Sequence, residues 1–218
     1  MTMTYPMAEG FESALYMLNV WGTAVFAVAG AMTAREKDYD LFGVLVVSLI
    51  TANGGGTVRA VLLGQLPVFW IQEPLWLYLA VIPGTIGYFT DHFLTGPRVE
   101  KVIIYLDALG IATFGITGAE AAMSVTNSPL VVVCMGVATG CFGGVIRDIL
   151  CGREPLIFSG TIYATTIIAG VSTYLLLLFA GMAEWQAGLL GMFCTLGLRC
   201  LGLRYGLTLR PGLPPRSL

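Results

Sequence analysis

The chain has 218 residues, of which 56% are hydrophobic and only 11% are charged, and its net charge is −2. Soluble domains average about 25% charged residues, so this composition excludes a soluble enzyme, a disordered chain and a basic nucleic-acid-binding protein. The 28 glycines are about twice the average share of roughly 7%. Together these values indicate a helical membrane protein with several spans and an unusual amount of glycine.

Seven apolar windows follow one another along the chain, each close to the ~20 residues that cross a bilayer as a helix. They cover residues 11–33, 41–64, 71–90, 100–123, 129–152, 158–181 and 184–205. Runs of this length without alternation do not fit the strands of a β-barrel, which are about ten residues long. We therefore expect an all-α membrane protein of seven transmembrane helices that forms one domain over residues 1–218.

Lysine and arginine occur in the first, third and fifth links between these windows and near the carboxyl terminus. The residues are Arg35, Lys37, Arg98, Arg153, Arg199, Arg204, Arg210 and Arg216. The amino terminus and the other links have none. Because basic residues accumulate on the cytoplasmic side, this pattern predicts an external amino terminus and a cytoplasmic tail that contains the last four arginines.

The sequence repeats itself at a shift of 88 positions. The segment TANGGGTVRAVLLGQLP at 51–67 aligns with TGCFGGVIRDILCGREP at 139–155, without a gap. The two copies cover about 11–94 and about 100–181, and the window at about 184–205 is an extra helix. With three spans in each copy, the second copy is inverted in the membrane, as in many transporters and channels. A duplicated bundle with a purely structural role is the alternative.

Each copy has a glycine cluster inside its middle span. The clusters consist of Gly54, Gly55 and Gly56 in the second span and Gly143 and Gly144 in the fifth. Glycine costs roughly 1 kcal/mol relative to alanine inside a helix. We therefore expect a kink or an unwound turn in both spans, with freed carbonyl groups that could line an ion path. Close packing of helices is the alternative explanation.

Arg59 and Arg147 each lie three residues beyond the last glycine of a cluster. A charge inside a span costs several kcal/mol unless it faces water or a partner, so both arginines are candidates for pore-lining or gating residues. Asp107 and Asp148 are their candidate partners. Because Asp148 is adjacent to Arg147, we expect it to point about 100° away from that arginine. Alternatively, the arginines tie helices together or extend to the membrane interface.

Further polar residues occur in otherwise apolar surroundings, where they could line a wet path. These residues are Asn19, Thr51, Asn53 and Thr139, and Asn19 aligns with Asp107 in the repeat. Hydrogen bonding between helices is the alternative role for these side chains. The five cysteines lie in apolar stretches without a CxxC pair, so we expect no disulfide framework and no metal site.

The paired GGGxxRxxLLGxxP motif and the duplicated three-span unit resemble the bacterial trimeric intracellular cation (TRIC) channel family, many members of which are also labelled glycine transporters. The resemblance covers about residues 15–205. It implies seven helices with kinks in the second and fifth, a homotrimer in the inner membrane, and an hourglass pore in each subunit for monovalent cations, chiefly potassium. The family usually has Arg-Asp in both halves, whereas here Arg59 is followed by Ala60.

The resemblance implies a passive potassium-permeable channel that is not an enzyme and needs no cofactor. Its permeant ion would be potassium or sodium, and its partners would be further copies of the chain and membrane lipid, with no nucleic acid. The alternative is a secondary transporter of glycine or a similar small zwitterion. In that case Arg59 or Arg147 would bind the carboxylate, and Asp107 or Asp148 would bind the ammonium group. A non-conducting structural protein is a third possibility.

Overall fold

The computed structural model describes residues 6–90, 97–158 and 160–209. Eight α-helices occur in these residues: α1 Pro6–Arg35, α2 Leu41–Leu62, α3 Phe69–Gln72, α4 Leu75–Phe89, α5 Pro97–Met123, α6 Pro129–Leu150, α7 Ala164–Phe179 and α8 Glu184–Tyr205. A short 3₁₀ turn at Leu156–Phe158 follows α6. The prediction of an all-α protein is confirmed for the described residues.

Each of the seven predicted windows overlaps one of the seven longer helices. The remaining helix, α3, has only four residues. Among the described residues, four helices are long and apolar enough to cross a membrane, namely α1, α2, α6 and α8. The apolar helices α4 and α7 are shorter, at 15 and 16 residues. Helix α4 begins at Leu75, directly after Pro74, four residues later than the start of the predicted window at residue 71. The chain is thus a helical membrane protein with several spans, and the count of seven crossings stays a prediction.

The helices pack in two similar sets. In the first set α1, α2 and α4 contact one another, and in the second α5, α6 and α7 do the same. Contacts of α1 with α5 and of α2 with α6 join the sets, and α8 packs against α5 and α7. As a result α5 lies in the middle of the bundle, where Ile111, Ala112 and Ile116 are fully buried.

Large apolar side chains also cover the outside of the bundle. Phe42, Leu130 and Phe179 are 74%, 72% and 96% exposed. A soluble monomer rarely exposes apolar surface on this scale, whereas contact with lipid chains requires it. The outer surface therefore agrees with the membrane environment that the composition predicts.

The helices α2 and α6 end in the same way, at positions related by the repeat. Gly64 and Gly152 follow the two helices with φ values of +69° and +61°, a left-handed conformation that glycine adopts without strain. After each glycine the chain turns back toward the bundle. The returning segments carry Phe69 after α2 and Leu156 after α6 into the two cavities described below.

The glycine clusters lie where α2 and α6 cross. A Cβ atom at Gly55 would overlap the carbonyl oxygen of Thr139, and one at Gly143 would overlap the carbonyl oxygen of Thr51. Both helices run through their clusters without interruption, so the expected unwound turn is wrong. Continuous helices keep their backbone groups hydrogen-bonded inside the membrane, and the missing side chains allow the two backbones to approach closely. A bend in either helix stays a prediction.

Candidate functional site

Two cavities open along the bundle, and we name them the Arg59 cavity and the Arg147 cavity after an arginine that lines each. Their volumes are about 350 Å³ and 450 Å³. On α1, lining residues between positions 16 and 26 face the Arg59 cavity and those between 29 and 33 face the Arg147 cavity. On α5 the order is reversed, with residues 114–117 at the first and 104–107 at the second. The two cavities are therefore stacked along the helix axes.

The residues that line the two cavities correspond through the repeat. Four lining residues of one cavity have their counterparts, 88 positions away, in the lining of the other. The pairs are Tyr16 and Ile104, Asn19 and Asp107, Arg59 and Arg147, and Thr117 and Ala29. The internal repeat thus brings predicted site residues into two matching places.

An aromatic pair lies at the level between these two sets of residues. The rings of Phe26 and Phe114 meet edge to face, with centroids 5.1 Å apart and planes at 69°. Each ring also packs against a glycine of the other half. A Cβ atom at Gly110 would lie 2.8 Å from the Phe26 ring, and one at Gly22 would lie 3.0 Å from the Phe114 ring. The pair is therefore held tightly on both sides.

Arg147 forms an ion pair with its neighbour Asp148. Its Nε and Nη2 atoms both lie 2.8 Å from Asp148 Oδ1, and the side chains are only 11% and 5% exposed. The backbone N–H of Leu156 also approaches Asp148 Oδ2, at 3.4 Å. The pair forms although adjacent helix positions point about 100° apart, because the long arginine side chain folds back to reach the carboxylate.

Asp107 belongs to a second buried polar cluster beside the Arg147 cavity. Its carboxylate hydrogen-bonds the side chain of Tyr163 and is under the electrostatic influence of Arg199 and Arg147. The Arg199 guanidinium lies over the Tyr163 ring, 4.7 Å from its centroid, and Nη1 donates to the carbonyl oxygen of Ile162 at 3.0 Å. Asp107 thus shares one polar cluster with Tyr163 and Arg199.

Arg199 corrects the sequence-based interpretation of the carboxyl-terminal arginines. It lies inside α8 and is only 2% exposed, so it is not part of a solvated tail. Its position inside an apolar window was the signal that singled out Arg59 and Arg147, and the same rule would have found it. Tyr163, by contrast, belongs to no sequence motif that would indicate a role at this site. Arg210 and Arg216 lie outside the described residues.

Arg59 differs from its counterpart because Ala60 stands where Arg147 has Asp148. The Arg59 Nε atom is buried and has no hydrogen-bond partner among the residues that the structure describes. Asp107 and Asp148 both belong to the other end of the bundle, so neither predicted partner is brought to the Arg59 cavity.

A carboxylate that the sequence did not single out lines the Arg59 cavity. Glu73, which precedes α4, accepts hydrogen bonds from the hydroxyl of Tyr16 at 2.7 Å and from Nε1 of Trp76 at 2.8 Å. Glu73 is the third residue of the predicted window 71–90, at an end where a charged side chain is ordinarily solvated at the membrane interface, so its position alone did not indicate a site. Glu73 reaches the cavity because the chain turns after α2 and brings α3 back over the end of that helix.

Of the four smaller polar residues that the sequence singled out, three line the Arg59 cavity and one is buried between helices. Thr51 and Thr139 line the Arg59 cavity, and each hydroxyl donates to the carbonyl four residues earlier at 2.7 Å. Asn19 lines the same cavity and donates to Thr117 Oγ1 at 3.0 Å. Asn53 is buried beside Trp76, with Nδ2 3.4 Å from its carbonyl oxygen, and it is absent from the lining of both cavities.

The five glycines of the two clusters also lie in different surroundings. Gly55 and Gly56 line the Arg59 cavity, and a Cβ atom at Gly56 would lie 2.9 Å from the Phe69 ring. Gly54 and Gly143 face each other at the helix crossing, where a Cβ atom at Gly54 would be 3.4 Å from Gly143 Cα. A Cβ atom at Gly144 would lie 3.8 Å from Arg147 Nη2, so this position is not crowded.

A second ion pair lies at the edge of the Arg147 cavity. Arg153 contacts Glu36 through Nη2 and Oε2, and the two side chains are 37% and 58% exposed. Both residues line the cavity. Partial burial lowers the pKa of the Arg153 guanidinium, which still stays protonated at neutral pH. The pair therefore persists as a charged contact between the link after α1 and the link after α6.

The comparisons with known proteins agree with this geometry. The family model described as glycine transporter matches residues 16–92 and 104–178, two segments whose starts are separated by the repeat shift. A UPF0126 membrane protein of Vibrio cholerae is 38% identical, over 90% of this chain and 82% of its own length. The UPF0126 inner membrane protein YadS of Escherichia coli is 37% identical, over 89% and 94%.

Among solved structures, the TRIC trimeric intracellular cation channel orthologue from Rhodobacter sphaeroides superposes with a TM-score of 0.83 at 33% identity. The match covers 89% of this chain and 100% of that one. Because sequence relatives, family model and structural neighbour agree over nearly the whole chain, the protein belongs to the bacterial TRIC family of membrane proteins, whose family model carries the description glycine transporter.

Proposed function

We propose that the protein is a passive cation channel in which each subunit has a path through the Arg59 cavity and the Arg147 cavity. The stacking of two cavities with corresponding lining residues is the observation that carries this proposal. The similarity to a solved cation channel supports cations as the permeant species. Such a channel is not an enzyme and needs no cofactor, and potassium is the proposed principal ion.

In this proposal the narrowest part of the path is the region of Phe26 and Phe114. The hydroxyl groups of Thr51 and Thr139, together with Asn19, replace part of the ion's hydration shell on the approach. The two aromatic rings must separate to let an ion pass, because an apolar constriction excludes water when it is narrow. Phe26 and Phe114 thus act as the proposed gate.

In this proposal the arginines that line the Arg147 cavity are tolerated beside a cation path because carboxylates lie close to them. Asp148 pairs with Arg147, and Glu36 pairs with Arg153. Asp107 supplies a third carboxylate near Arg199. An offset arginine adds a local barrier that adjusts conductance. Arg59, whose Nε has no partner among the described residues, is the stronger barrier of the proposed path, because an unpaired positive charge repels a cation in a low-dielectric environment.

The proposed assembly is a homotrimer surrounded by lipid in the inner membrane, in which every subunit conducts. The names of the solved neighbour and of the Escherichia coli relative support the oligomer and the location. Each subunit consists of two inverted three-helix repeats and α8 in one transmembrane domain. The amino terminus is proposed to be external, following the distribution of lysine and arginine.

A transporter of glycine or another small zwitterion is the second candidate function. It is favoured by one observation, the presence of Arg59 and Glu73 in the lining of a single cavity. Such a cavity offers one group for a carboxylate and one for an ammonium group. The description of the matching family model agrees with this candidate.

Recording from purified protein in planar bilayers with a potassium gradient tests the proposal. A channel gives discrete unitary currents that reverse near the potassium equilibrium potential. The matched control is a bilayer with protein inactivated by heat. Saturable uptake of glycine into vesicles, in the absence of such currents, would contradict the channel and favour the transporter.

A further inference from the structure

The Arg59 cavity has the size and lining of a small-molecule binding site. Its volume of about 350 Å³ falls in the range of ligand pockets, which begins at about 300 Å³. Aromatic side chains form much of its wall, namely Tyr16, Phe26, Phe69, Trp76 and Phe114. An apolar wall with a few polar groups that fix the orientation of a ligand is typical of such sites.

One of these polar groups is a cation that forms no ion pair with any part of the chain that the structure describes. The buried Nε of Arg59 has no partner among the described residues, whereas Arg147 at the corresponding position is paired with Asp148. A buried, unpaired hydrogen-bond donor on a charged group is costly. A carboxylate is well suited to relieve this cost, because it can accept two parallel hydrogen bonds from a guanidinium group. A single unpaired arginine matches a ligand with one negative charge.

The opposite charge in the cavity is Glu73, and aromatic rings hold it in place. Its two oxygen atoms accept one hydrogen bond each, from Tyr16 and Trp76, which leaves further lone pairs for a ligand. The Trp76 ring meets those of Tyr16 and Phe69 edge to face, at centroid distances of 5.7 Å and 5.8 Å. A carboxylate beside several aromatic rings is the environment that methylated ammonium groups prefer.

We propose that the Arg59 cavity binds a small zwitterion with a methylated ammonium group, such that Arg59 contacts its carboxylate and Glu73 with the surrounding rings contacts its ammonium group. Glycine itself would leave much of the cavity unfilled, because a volume of about 350 Å³ has room for about ten water molecules. Methyl groups on the nitrogen fill this space against the aromatic wall. This inference goes beyond the proposed function, because binding requires neither conduction nor transport.

The test uses the purified full-length protein in detergent and four probes in isothermal titration calorimetry. Glycine betaine has both charges and three methyl groups, and we expect it to bind at least tenfold more tightly than glycine. Tetramethylammonium lacks the carboxylate, and 3,3-dimethylbutyrate has the shape of betaine without its positive charge. Both are expected to bind more weakly than betaine.

Two variants separate the roles of the charged residues. Arg59→Gln is expected to weaken betaine and 3,3-dimethylbutyrate at least tenfold while leaving tetramethylammonium unchanged. Glu73→Gln removes the charge but keeps one acceptor oxygen for its aromatic partners, and it is expected to weaken betaine and tetramethylammonium but not 3,3-dimethylbutyrate. Arg204→Gln is the matched control, because it removes the same charge from the far end of α8, away from the lining of the Arg59 cavity.

Failure to fold is detected by gel filtration and thermal unfolding, and Arg59→Lys then replaces Arg59→Gln with an expected partial loss of affinity. Equal affinity for betaine and glycine would overturn the proposal. Betaine binding that neither cavity variant weakens would overturn it as well. Bilayer currents of the wild-type protein are scored separately, so a failure of this inference and a failure of the proposed channel give different results.

Discussion

Glu36 and Arg153 form an ion pair at one end of the bundle, and their counterparts in the repeat, Ser124 and Gln65, meet at the other. Gln65 Nε2 lies 3.5 Å from Ser124 Oγ and 3.4 Å from the carbonyl oxygen of Ala121. The same junction between two links is therefore ionic beside the Arg147 cavity and uncharged at the opposite end.

This difference predicts that the ionic junction controls access to the Arg147 cavity in a salt-dependent way. Glu36→Gln or Arg153→Gln should increase the open probability of the proposed channel in bilayers, since the contact joins two links that line the edge of the cavity. The effect should weaken at 1 M salt, where the Debye length falls to about 3 Å and interactions between exposed charges are strongly screened. Because the pair is partly exposed, the midpoint of unfolding should change by the equivalent of less than about 1 kcal/mol.

The corresponding substitution at the uncharged junction, Gln65→Ala, serves as the control and should show no salt dependence. The double variant Glu36→Gln with Arg153→Gln should behave like either single variant if the two residues act as a pair. Fully additive effects of the two single substitutions on open probability would contradict a shared contact.

The crossing of α2 and α6 predicts that alanine is poorly tolerated at Gly55 and Gly143. A Cβ atom at either position would overlap a carbonyl oxygen of the other helix, and overpacking of this kind typically costs about 1–3 kcal/mol. Both variants should therefore lower the thermal midpoint of the purified protein, measured by fluorescence-detected gel filtration after heating.

Gly197 provides the matched control for these substitutions. It lies in α8, and a Cβ atom there would have no neighbour within 4 Å, so Gly197→Ala should be neutral or stabilise the helix by up to ~1 kcal/mol. Gly144→Ala should also be mild, because the position is open. If Gly55→Ala and Gly197→Ala had equal midpoints, close packing would not be the role of Gly55.

The pair of Arg147 and Asp148 predicts a large loss of stability for Asp148→Asn. That change leaves a mostly buried arginine without its counterion, which typically costs about 3–5 kcal/mol. Arg59→Gln should cost much less, since Arg59 has no counterion to lose among the described residues. Thermal midpoints of the two variants check the comparison, and a larger loss for Arg59→Gln would contradict it.

The cluster around Asp107 predicts coupling between that residue and Arg199. Arg199→Gln should lower the thermal midpoint, because it removes a buried cation that stacks on Tyr163 and leaves the Asp107 carboxylate less stabilised. Addition of Asp107→Asn should recover part of the loss. A double-mutant cycle should give a coupling energy of about 1 kcal/mol or more, and an additive result would separate the two residues.

The sequence predicted the membrane environment and the helical class, because composition and long apolar windows report directly on the solvent of each segment. The repeat also related Asn19 to Asp107 and Arg59 to Arg147, and each of these pairs is divided between the two cavities. These features follow from patterns within one segment or from a simple alignment of two segments.

Features that depend on contacts between distant segments were missed. The close approach of Gly55 to Thr139 is a tertiary contact, so the local sequence could not distinguish it from an unwound turn. Glu73 enters the Arg59 cavity only because the chain turns back after α2. The pairing of Arg147 with Asp148 depends on the rotamer of a long side chain, which helical geometry alone does not determine.

Phe26 and Phe114 occupy corresponding positions of the repeat and contact each other, so the same substitution can be made in both halves of one contact and its effects compared. Each ring meets the other and a glycine of the opposite half, so Phe26→Leu and Phe114→Leu are counterpart substitutions in the repeat. A difference between their effects on the protein comes either from the edge-to-face geometry of the pair or from the residues around it. Comparison of the two variants therefore measures how far the halves of the molecule have diverged in function.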